Sequence, residues 1–329
     1  MLLEVKDLSI QYQVEKNIAR AVNHISFSIN ENETLGLVGE TGAGKTTTAL
    51  GIMRLLPDPP GRITGGEILF NGKDLLKKSK DEMRSVRGKQ ISMIFQDPMT
   101  SLNPTMKIGK QLTESIEIHR KIDKEEAYNE ALRLMKLVQI PNPELRINQY
   151  PHQFSGGMRQ RVMIAMALSC QPKLLIADEP TTALDVTIQA QIIDLLKKIN
   201  ESEGTAVILI THDLGVVASM AQRINVMYAG RIMEAGSAED IFYNASHPYT
   251  KGLLESLPTI STRRNEKLIS IPGTPPNLLN PPVGCEFAAR CRYAMKVCKE
   301  KQAPVFTINK GHSASCWLLH QDCPKEEKK

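Results

Sequence analysis

Long hydrophobic runs are missing from this sequence: no uninterrupted apolar stretch approaches the roughly 20 residues that a membrane-spanning helix needs. A secretory signal is missing as well, because the opening stretch MLLEVKDLSI includes acidic side chains and no apolar core segment. We therefore expect a chain that crosses no membrane and remains in the reducing cytoplasm. In that compartment, clustered cysteines more often bind metal or carry out redox chemistry than form structural disulfides.

A strong excess of charge of either sign is also missing. The 329 residues carry a net charge of +5 with both signs mixed, which does not by itself require a nucleic acid or an anionic lipid as partner. No heptad pattern is sustained long enough for a coiled coil, and we find no internal repeat. The length suggests about two domains with room for a sizeable core.

Short apolar strands alternate with helical segments over most of the chain. ETLGLVG, QISMIFQDP, KLLIADEP and TAVILITHD each have the composition of a buried strand. Helical patterns follow in TTTALGIMRLL and DVTIQAQIIDLLKKINES, and a longer helical stretch covers about residues 100–168. This alternation predicts an α/β fold with a largely parallel sheet, interrupted by an inserted helical subdomain.

The composition changes after HPYTKGLLESLP. Five prolines lie between Pro272 and Pro282, so this segment can form neither a regular helix nor a central strand and is typical of a stiff linker. A cysteine-rich tail follows it. We predict a main domain over residues 1–250, a proline-rich linker over 251–283 and a small extension over 284–329.

GETGAGKT, residues 39–46, has the spacing of a phosphate-binding loop and lies between a predicted strand and a predicted helix. Glycines let backbone N–H groups turn inward around a phosphate, and the following helix directs the positive end of its dipole at the same anion. Lys45 can reach the β- and γ-phosphates, and the Thr46 hydroxyl can bind Mg²⁺. The residues expected to contact the nucleotide are Gly39, Thr41, Gly42, Ala43, Gly44, Lys45, Thr46 and Thr47.

Two carboxylates stand at the end of the strand in LLIADEP. Asp178 suits Mg²⁺, directly or through water, and Glu179 is placed to orient or deprotonate an attacking water. Two solvated carboxylates would be the ordinary interpretation of such a strand end. Beside a phosphate-binding loop we favour a site for phosphoryl transfer, which needs mainly positioning and neutralisation of charge.

Further motifs follow in a specific order: Gln96 of QDP ends one predicted strand, FSGGMRQR precedes a long helix, TTALD follows the carboxylates and THD ends another strand. Together with the loop they resemble the ATP-binding cassette of ABC transporters over about residues 2–236. The resemblance implies a P-loop (RecA-like) ATPase fold that uses ATP and Mg²⁺. By this resemblance, Gln96 is the residue of the Q-loop and lies beside Mg²⁺, and Asp185 ends the D-loop. His212 is the catalytic switch residue, and Tyr12 stacks on adenine.

FSGGM resembles the signature of the same family. Ser155, Gly156 and Gly157 begin a helix there and can offer N–H groups and a hydroxyl to anionic oxygen. The resemblance implies that they contact the γ-phosphate held by an opposing subunit, so that ATP lies between two cassettes arranged head to tail. Met158 departs from the Gln of many cassettes, and a thioether is a poor hydrogen-bond acceptor, so this side chain is not expected to bind the ribose.

The tail spaces its cysteines as Cys285-x5-Cys291-x6-Cys298-x17-Cys316 and lacks the C-x2-C pairs of zinc ribbons. Four thiols at this spacing can meet one iron–sulfur cluster, with zinc or free thiols as the alternatives. Cations nearby are expected to lower thiol pKa values and to offset the charge of such a cluster. The basic residues among the cysteines are Arg290, Arg292, Lys296 and Lys299.

HPYTKGLL, PPVGCEFAARC and the cysteines after them resemble the C-terminal extension of the di- and oligopeptide importer ATPases. Members of that group hold a [4Fe–4S] cluster there, which the resemblance implies for Cys285, Cys291, Cys298 and Cys316. Cys323 is an extra thiol. Cys170, next to an apolar helix, is expected to be a small core residue.

These motifs predict the ATPase subunit of a peptide-type ABC importer, peripheral to the cytoplasmic side of the cell membrane. The implied partners are two permease subunits, an extracellular solute-binding protein, and a second ATPase that is either a related chain or an identical copy. No nucleic acid is expected. A nickel or other small-solute importer is the alternative, and so is a cassette ATPase acting on ribosomes or DNA. Cassette ATPases that act on ribosomes usually carry two cassettes in tandem, and those that act in DNA repair carry a long coiled coil. This sequence has neither feature.

We predict that Lys45→Ala nearly abolishes ATP binding and hydrolysis, because it removes the cation that neutralises the β- and γ-phosphates. The measurement is ATP affinity and steady-state phosphate release by the purified chain. Lys198→Ala, on the polar face of a predicted helix, is the control and should behave as wild type. Near-normal hydrolysis by Lys45→Ala would refute the site.

Overall fold

The structure is a computed structural model that describes residues 1–97, 101–182, 184–257 and 270–323. Strands occur from the start of the chain to its cysteine-rich tail. In chain order they are β1 (Leu3–Val14), β2 (Asn17–Ile29), β3 (Thr34–Val38), β4 (Gly61–Phe70), β5 (Lys73–Asp74), β6 (Ile91–Ile94), β7 (Leu174–Asp178), β8 (Ala206–Thr211), β9 (Arg223–Tyr228), β10 (Arg231–Ser237), β11 (Phe306–Asn309) and β12 (His312–Ala314).

The helices range from one turn to five. In chain order those of the described residues are α1 (Lys45–Met53), α2 (Lys80–Val86), α3 (Ile108–Arg120), α4 (Lys124–Leu137), α5 (Pro143–Arg146), α6 (Gly156–Leu168), α7 (Val186–Glu203), α8 (Leu214–Met220), α9 (Ala238–Tyr243), α10 (Pro248–Glu255) and α11 (Lys296–Glu300). Short 3₁₀ turns lie at Pro151–Gln153 and Trp317–Leu319. In this described part of the chain, no helix combines the length and apolar character needed to cross a membrane.

The chain forms two compact units, each assembled from segments that are distant in sequence. The first unit comprises Met1–Glu4, Ser28–Thr34 and Ile68–Thr211, and the second comprises Val5–Phe27, Leu35–Glu67 and His212–Lys329. The predicted domain boundaries at residues 250 and 283 stay predictions. Residues 258–269 of the predicted linker, residues 98–100 at the start of the predicted helical subdomain, and the last six residues lie outside the described residues.

Three parallel strands form the core of the first unit. β7 lies between β6 and β8, with Leu174 opposite Ile91 on one side and opposite Ala206 on the other. Every residue of β7 and β8 is buried, as is typical of parallel strands that are covered on both faces. Because the carboxyl ends of parallel strands meet at one edge, the polar residues that follow β6 and β7 come close together.

Helices α3 to α6 confirm the helical region that the sequence predicts. Asp123 caps α4 by accepting a hydrogen bond from the N–H of Glu125 at 2.9 Å. On α6, the buried Arg161 donates to the carbonyl of Val138 and to the side chain of Gln191, each at 2.8 Å. Val138 ends α4 and Gln191 belongs to α7, so Arg161 holds α6 between these two helices.

The strand predicted from QISMIFQDP is shorter in the structure than in the prediction. β6 ends at Ile94, and the next side chain, Phe95, is exposed. The chain therefore leaves the buried sheet at this residue. Gln96 lies in the loop after the strand and not at the strand's last position.

A mixed group of strands forms the sheet of the second unit. β3 pairs in parallel with β9, where Val38 lies opposite Val226, and β9 and β10 form an antiparallel hairpin. β10 then pairs with β12, with Glu234 opposite Ala314, and β12 pairs with β11. The cysteine-rich tail thus adds two strands to this sheet.

A buried carboxylate ties the tail to β10. Glu234 accepts hydrogen bonds from the N–H groups of Ser246 (2.6 Å) and His247 (3.0 Å). Its Oε1 also lies 2.8 Å from Nε2 of His312, and both of these side chains are fully buried. A buried carboxylate is tolerated only when its oxygens are satisfied in this way, so Glu234 fixes the entry to α10 and β12 together.

Candidate functional site

The predicted phosphate-binding loop joins β3 to α1 in the second unit. Gly39 and Gly44 have positive φ angles of 157° and 97°. A Cβ on Gly39 would strike the carbonyl oxygen of Met227, and a Cβ on Gly44 would lie 2.5 Å from the carbonyl oxygen of Ala21. Only glycine fits at these two positions, because both the backbone angle and the neighbouring backbone exclude a side chain.

Lys45 is the first residue of α1 and is buried. Its Nζ donates to the carbonyl oxygens of Gly39 at 2.7 Å and Glu40 at 3.1 Å, so the amine lies inside the curve of the loop. The first turn of α1 contains no acidic residue, and Thr46 is exposed there. The positive end of the helix dipole is therefore not offset by a carboxylate of that turn, which suits an anionic ligand.

Tyr12 and His212 belong to the same unit as the loop. The Tyr12 ring is half-buried and lies against Gly61, where an added Cβ would come within 2.9 Å of the ring. His212 is exposed and directly follows β8. The next residue, Asp213, caps α8 by accepting a hydrogen bond from Gly215 N–H at 2.8 Å, so the backbone beside His212 has a defined geometry.

The carboxylate of Glu179 is held from two sides in the first unit. Gln96 donates through Nε2 and Thr182 through Oγ1, and both bonds end on Oε2 of Glu179 at 2.9 Å. The structure therefore brings together two of the predicted catalytic residues, Gln96 and Glu179. Thr182 was missed by the sequence predictions, and its only signal was a hydroxyl three residues after the carboxylate in TTALD.

The backbone at Glu179 is also constrained. Its φ angle is +44°, a conformation that residues other than glycine seldom adopt. Its N–H donates to the carbonyl oxygen of Ile210 at 2.9 Å. Asp178, the last residue of β7, is buried. The chain thus turns sharply between these two carboxylates, which keeps Asp178 in the sheet and sends Glu179 towards Gln96.

The predicted signature forms the start of α6. Ser155 is the N-cap, and its hydroxyl accepts a hydrogen bond from Met158 N–H at 3.4 Å. A Cβ on Gly157 would lie 2.7 Å from the Ile188 side chain of α7, so close packing of the two helices requires glycine there. Ser155 and Gly156 are exposed, and the first turn of α6 carries no acidic residue. This helix end is therefore open to an anion.

Asp185 has a local role as the N-cap of α7. Its Oδ1 accepts a hydrogen bond from Ile188 N–H at 3.0 Å. The following residue, Val186, is 82% exposed.

The four cysteines predicted as ligands interact with one another in the tail. All four are free thiols that are buried or half-buried. Burial raises the pKa of Cys285 to about 12, and the neighbouring thiols of Cys298 and Cys316 add to this rise. Burial likewise raises the pKa of Cys316 to about 11, with contributions from Cys291 and Cys298. The thiols are thus near enough to influence each other's charge.

We expected nearby cations to lower the pKa values of the cysteine thiols. This expectation is wrong, because the pKa values of Cys285, Cys291 and Cys316 are raised. Burial is the largest influence on Cys291 and raises its pKa, while the lowering effect of Arg292 is the smallest of the influences on it. Arg290 forms an ion pair with Glu40 and Arg292 one with Glu255, so these cations are engaged elsewhere. Over residues 1–97, 101–182, 184–257 and 270–323, no group of three or more His, Cys, Asp or Glu side chains is arranged to hold a metal ion.

Comparison with protein families gives two matches along the chain. Residues 22–182 match the family described as ABC transporter. Residues 233–298 match the family described as oligopeptide/dipeptide transporter, C-terminal region. The second match contains Cys285, Cys291 and Cys298 and ends before Cys316.

Individual proteins are similar over nearly the whole chain. The oligopeptide transport ATP-binding protein OppD of Bacillus subtilis is 57% identical over 99% of this chain and 91% of its own length. The dipeptide transport ATP-binding protein DppD of the same organism is 53% identical over 97% and 95%. Among solved structures, a similar one is the dimeric ATP-binding cassette MJ0796 in a post-hydrolysis state bound to ADP and Pi. It is 28% identical to this chain and superposes with a TM-score of 0.65. The match covers 72% of this chain and 98% of the MJ0796 chain.

We predict that Glu179→Gln lowers the kcat for ATP hydrolysis by about 100-fold or more, because it removes the base that acts on the attacking water, while MgATP binding is retained. The measurement is single-turnover hydrolysis together with nucleotide affinity. Glu201→Gln, an exposed residue of α7, is the matched control and should hydrolyse at the wild-type rate. An unchanged rate in Glu179→Gln would exclude the role of this carboxylate.

Proposed function

This chain belongs to the family of ATP-binding proteins of oligopeptide and dipeptide ABC transporters, and we propose that it is the ATPase subunit of a membrane importer for di- and oligopeptides. The observation that carries the proposal is the 57% identity over 99% of the chain to an oligopeptide transport ATP-binding protein. The match of residues 233–298 to the oligopeptide/dipeptide C-terminal region supports the peptide cargo over nickel or another small solute.

The phosphate-binding loop is the binding element for ATP. Backbone N–H groups of residues 39–46 and the amine of Lys45 bind the β- and γ-phosphates, for which the buried amine inside the loop is already placed. The Thr46 hydroxyl, next to Lys45, is an oxygen ligand of the kind that Mg²⁺ prefers, and Gln96 and Asp178 of the first unit carry side-chain oxygens of the same kind. Mg²⁺, when bound with ATP, neutralises the charge on the phosphates. The Gln96 amide nitrogen is engaged with Glu179, which leaves its carbonyl oxygen as the atom for a cation.

Glu179 orients and deprotonates the attacking water. Its two hydrogen bonds, from Gln96 and Thr182, restrict the carboxylate to one direction, and a positioned base is what hydrolysis of a phosphate needs from the protein. His212 acts on the γ-phosphate as the switch histidine. The bond from Gln96 also links the Q-loop to the base, so that a movement of this loop changes the orientation of Glu179.

Two cassettes act together, as in the dimeric solved cassette. The exposed N-terminus of α6, at Ser155 and Gly156, is suited to the γ-phosphate held by the partner cassette. The second cassette is a related chain or a second copy of this one.

The membrane partners are two permease subunits, and a solute-binding protein delivers the peptide to them. The ATPase is peripheral to the cytoplasmic side of the membrane. ATP binding closes the two cassettes and hydrolysis releases them, and this motion drives the permeases. No nucleic acid takes part.

Cys285, Cys291, Cys298 and Cys316 hold an iron–sulfur cluster in the tail, with zinc as the alternative occupant. What supports this proposal is the chemistry of the donor set, because four free thiols are the ligands that such a cluster takes, although in the described residues they are not arranged as a closed metal site. The cluster would cross-link a tail that has little apolar core of its own.

We predict that cells in which this chain is the sole ATPase of its importer take up a labelled tripeptide, and that Lys45→Ala in the chain abolishes this uptake because no ATP is bound. Uptake of labelled nickel in the same cells is the comparison. Nickel uptake that requires Lys45 while tripeptide uptake does not would overturn the peptide assignment. The wild-type and variant chains should be present at equal levels in the membrane fraction.

We predict that the chain, purified without oxygen, is brown and contains iron and inorganic sulfide near four each per chain. Replacing Cys285 and Cys298 together by Ser should remove most of both, because two of the four ligands are lost. Cys170→Ser is the matched control, because this buried thiol belongs to the first unit and should leave the iron content unchanged. Stoichiometric zinc without iron would rule out the cluster.

A further inference from the structure

Arg290, in the cysteine-rich tail, contacts the phosphate-binding loop. Its guanidinium donates to both carboxylate oxygens of Glu40, from Nη1 to Oε2 at 2.7 Å and from Nη2 to Oε1 at 3.1 Å. Glu40 is the second residue of the loop that begins at Gly39. Paired hydrogen bonds of this kind are the strongest geometry of an arginine–carboxylate pair, and they fix the direction of both groups.

All five N–H groups of Arg290 have acceptors, which is the full capacity of a guanidinium. The three bonds beyond Glu40 run from Nε to the carbonyl of Pro272 (2.8 Å), from Nη1 to the Tyr228 hydroxyl (3.1 Å) and from Nη2 to the carbonyl of Ile271 (3.3 Å). The Arg290 side chain is 6% exposed. The Glu40 side chain is 26% exposed, so it is the loss of Glu40 that would leave a charge, that of the guanidinium, unpaired in a largely dry place.

Phe287 anchors the same segment of the tail by apolar packing. Its ring lies 5.4 Å from that of Tyr228 and 5.3 Å from that of Tyr249, measured between centroids. The Arg290 guanidinium lies 5.6 Å from the centre of the Tyr228 ring and 5.9 Å from that of Phe287. Aromatic and cation–π contacts thus hold Arg290 in one position.

Tyr249, in the HPY stretch at the start of α10, holds the loop from another direction. Its fully buried hydroxyl accepts a hydrogen bond from the N–H of Glu40 at 3.0 Å. The carbonyl of Glu40 accepts from Lys45 Nζ, and its carboxylate accepts from Arg290. Each polar group of this one loop residue is therefore bound, two of them by residues C-terminal to residue 248.

From these contacts we propose that Arg290 and Tyr249 are positioning residues for the nucleotide: they hold Glu40, and with it the phosphate-binding loop, in the shape that receives ATP. A loop that is already ordered loses less conformational freedom when its ligand binds. The C-terminal region thereby sets the affinity of the ATPase for the phosphates of ATP. This inference rests on one part of the proposed function, the binding of ATP by the phosphate-binding loop.

The test is titration of the full-length chain with a fluorescent ATP analogue and Mg²⁺. Arg290→Met should weaken binding about tenfold, because the loop must then be ordered by the ligand, and Arg290→Lys should restore part of the loss. In hydrolysis, KM for ATP should rise by a similar factor with kcat little changed. Arg292→Met is the matched control: this arginine is in the same segment and pairs with Glu255 at 2.7 Å on the surface, so its loss should leave binding unchanged.

Two further variants decide the matter if Arg290→Met folds poorly. Glu40→Gln should weaken binding about as much as Arg290→Met, and the double variant should be no weaker than either single one, since both remove one interaction. Tyr249→Phe deletes only the hydroxyl, leaves the Glu40 N–H without this acceptor, and should weaken binding about threefold. Wild-type affinity in these variants, with binding lost in Lys45→Ala, would overturn the inference and leave the ATP site intact. Failure of the wild-type chain to bind ATP would instead overturn the proposed function.

Discussion

The backbone turn at the phosphate-binding loop is the constraint on which the rest of this structure depends. Gly39 and Gly44 adopt positive φ angles against the carbonyls of Met227 and Ala21, so the loop can close only where β9 and β2 pass behind it. The turn places Lys45 at the start of α1 with its amine inside the curve. The backbone N–H groups of the loop, the Lys45 amine and the dipole of α1 together favour the anionic phosphates of a nucleotide at this turn.

Glu179 shows the same principle in the first unit, where a functional group is held by its neighbours and not by its own conformational preference. Its backbone angle is unusual for a side-chain-bearing residue, and its carboxylate accepts bonds from Gln96 and Thr182. Such restraint is useful in a base, because the orientation of its oxygen need not be acquired during the reaction. The bond from Gln96 also connects the loop after β6 directly to this carboxylate.

The C-terminal tail is connected to the phosphate-binding loop more closely than its position in the sequence suggests. β12 extends the sheet beside β10, Phe287 packs among Tyr228 and Tyr249, and Arg290 reaches Glu40. The cysteines lie in the same tail as these anchors. A group bound by those thiols would therefore stabilise a segment whose geometry bears on the ATP site, which offers a physical reason for thiols in the tail of an ATPase.

The sequence by itself determined the α/β class, the helical region and the chemistry of the loop, because glycine spacing, apolar strands and helix periodicity are local properties. It also placed Glu179 correctly at the end of β7 and Ser155 at the start of α6. It could not determine the partners of Glu179 and Glu40, since Thr182, Tyr249 and Arg290 reach them only through tertiary contacts; Arg290 lies 250 residues away from Glu40. The direction of the thiol pKa shifts was likewise decided by burial, which the local sequence could not reveal.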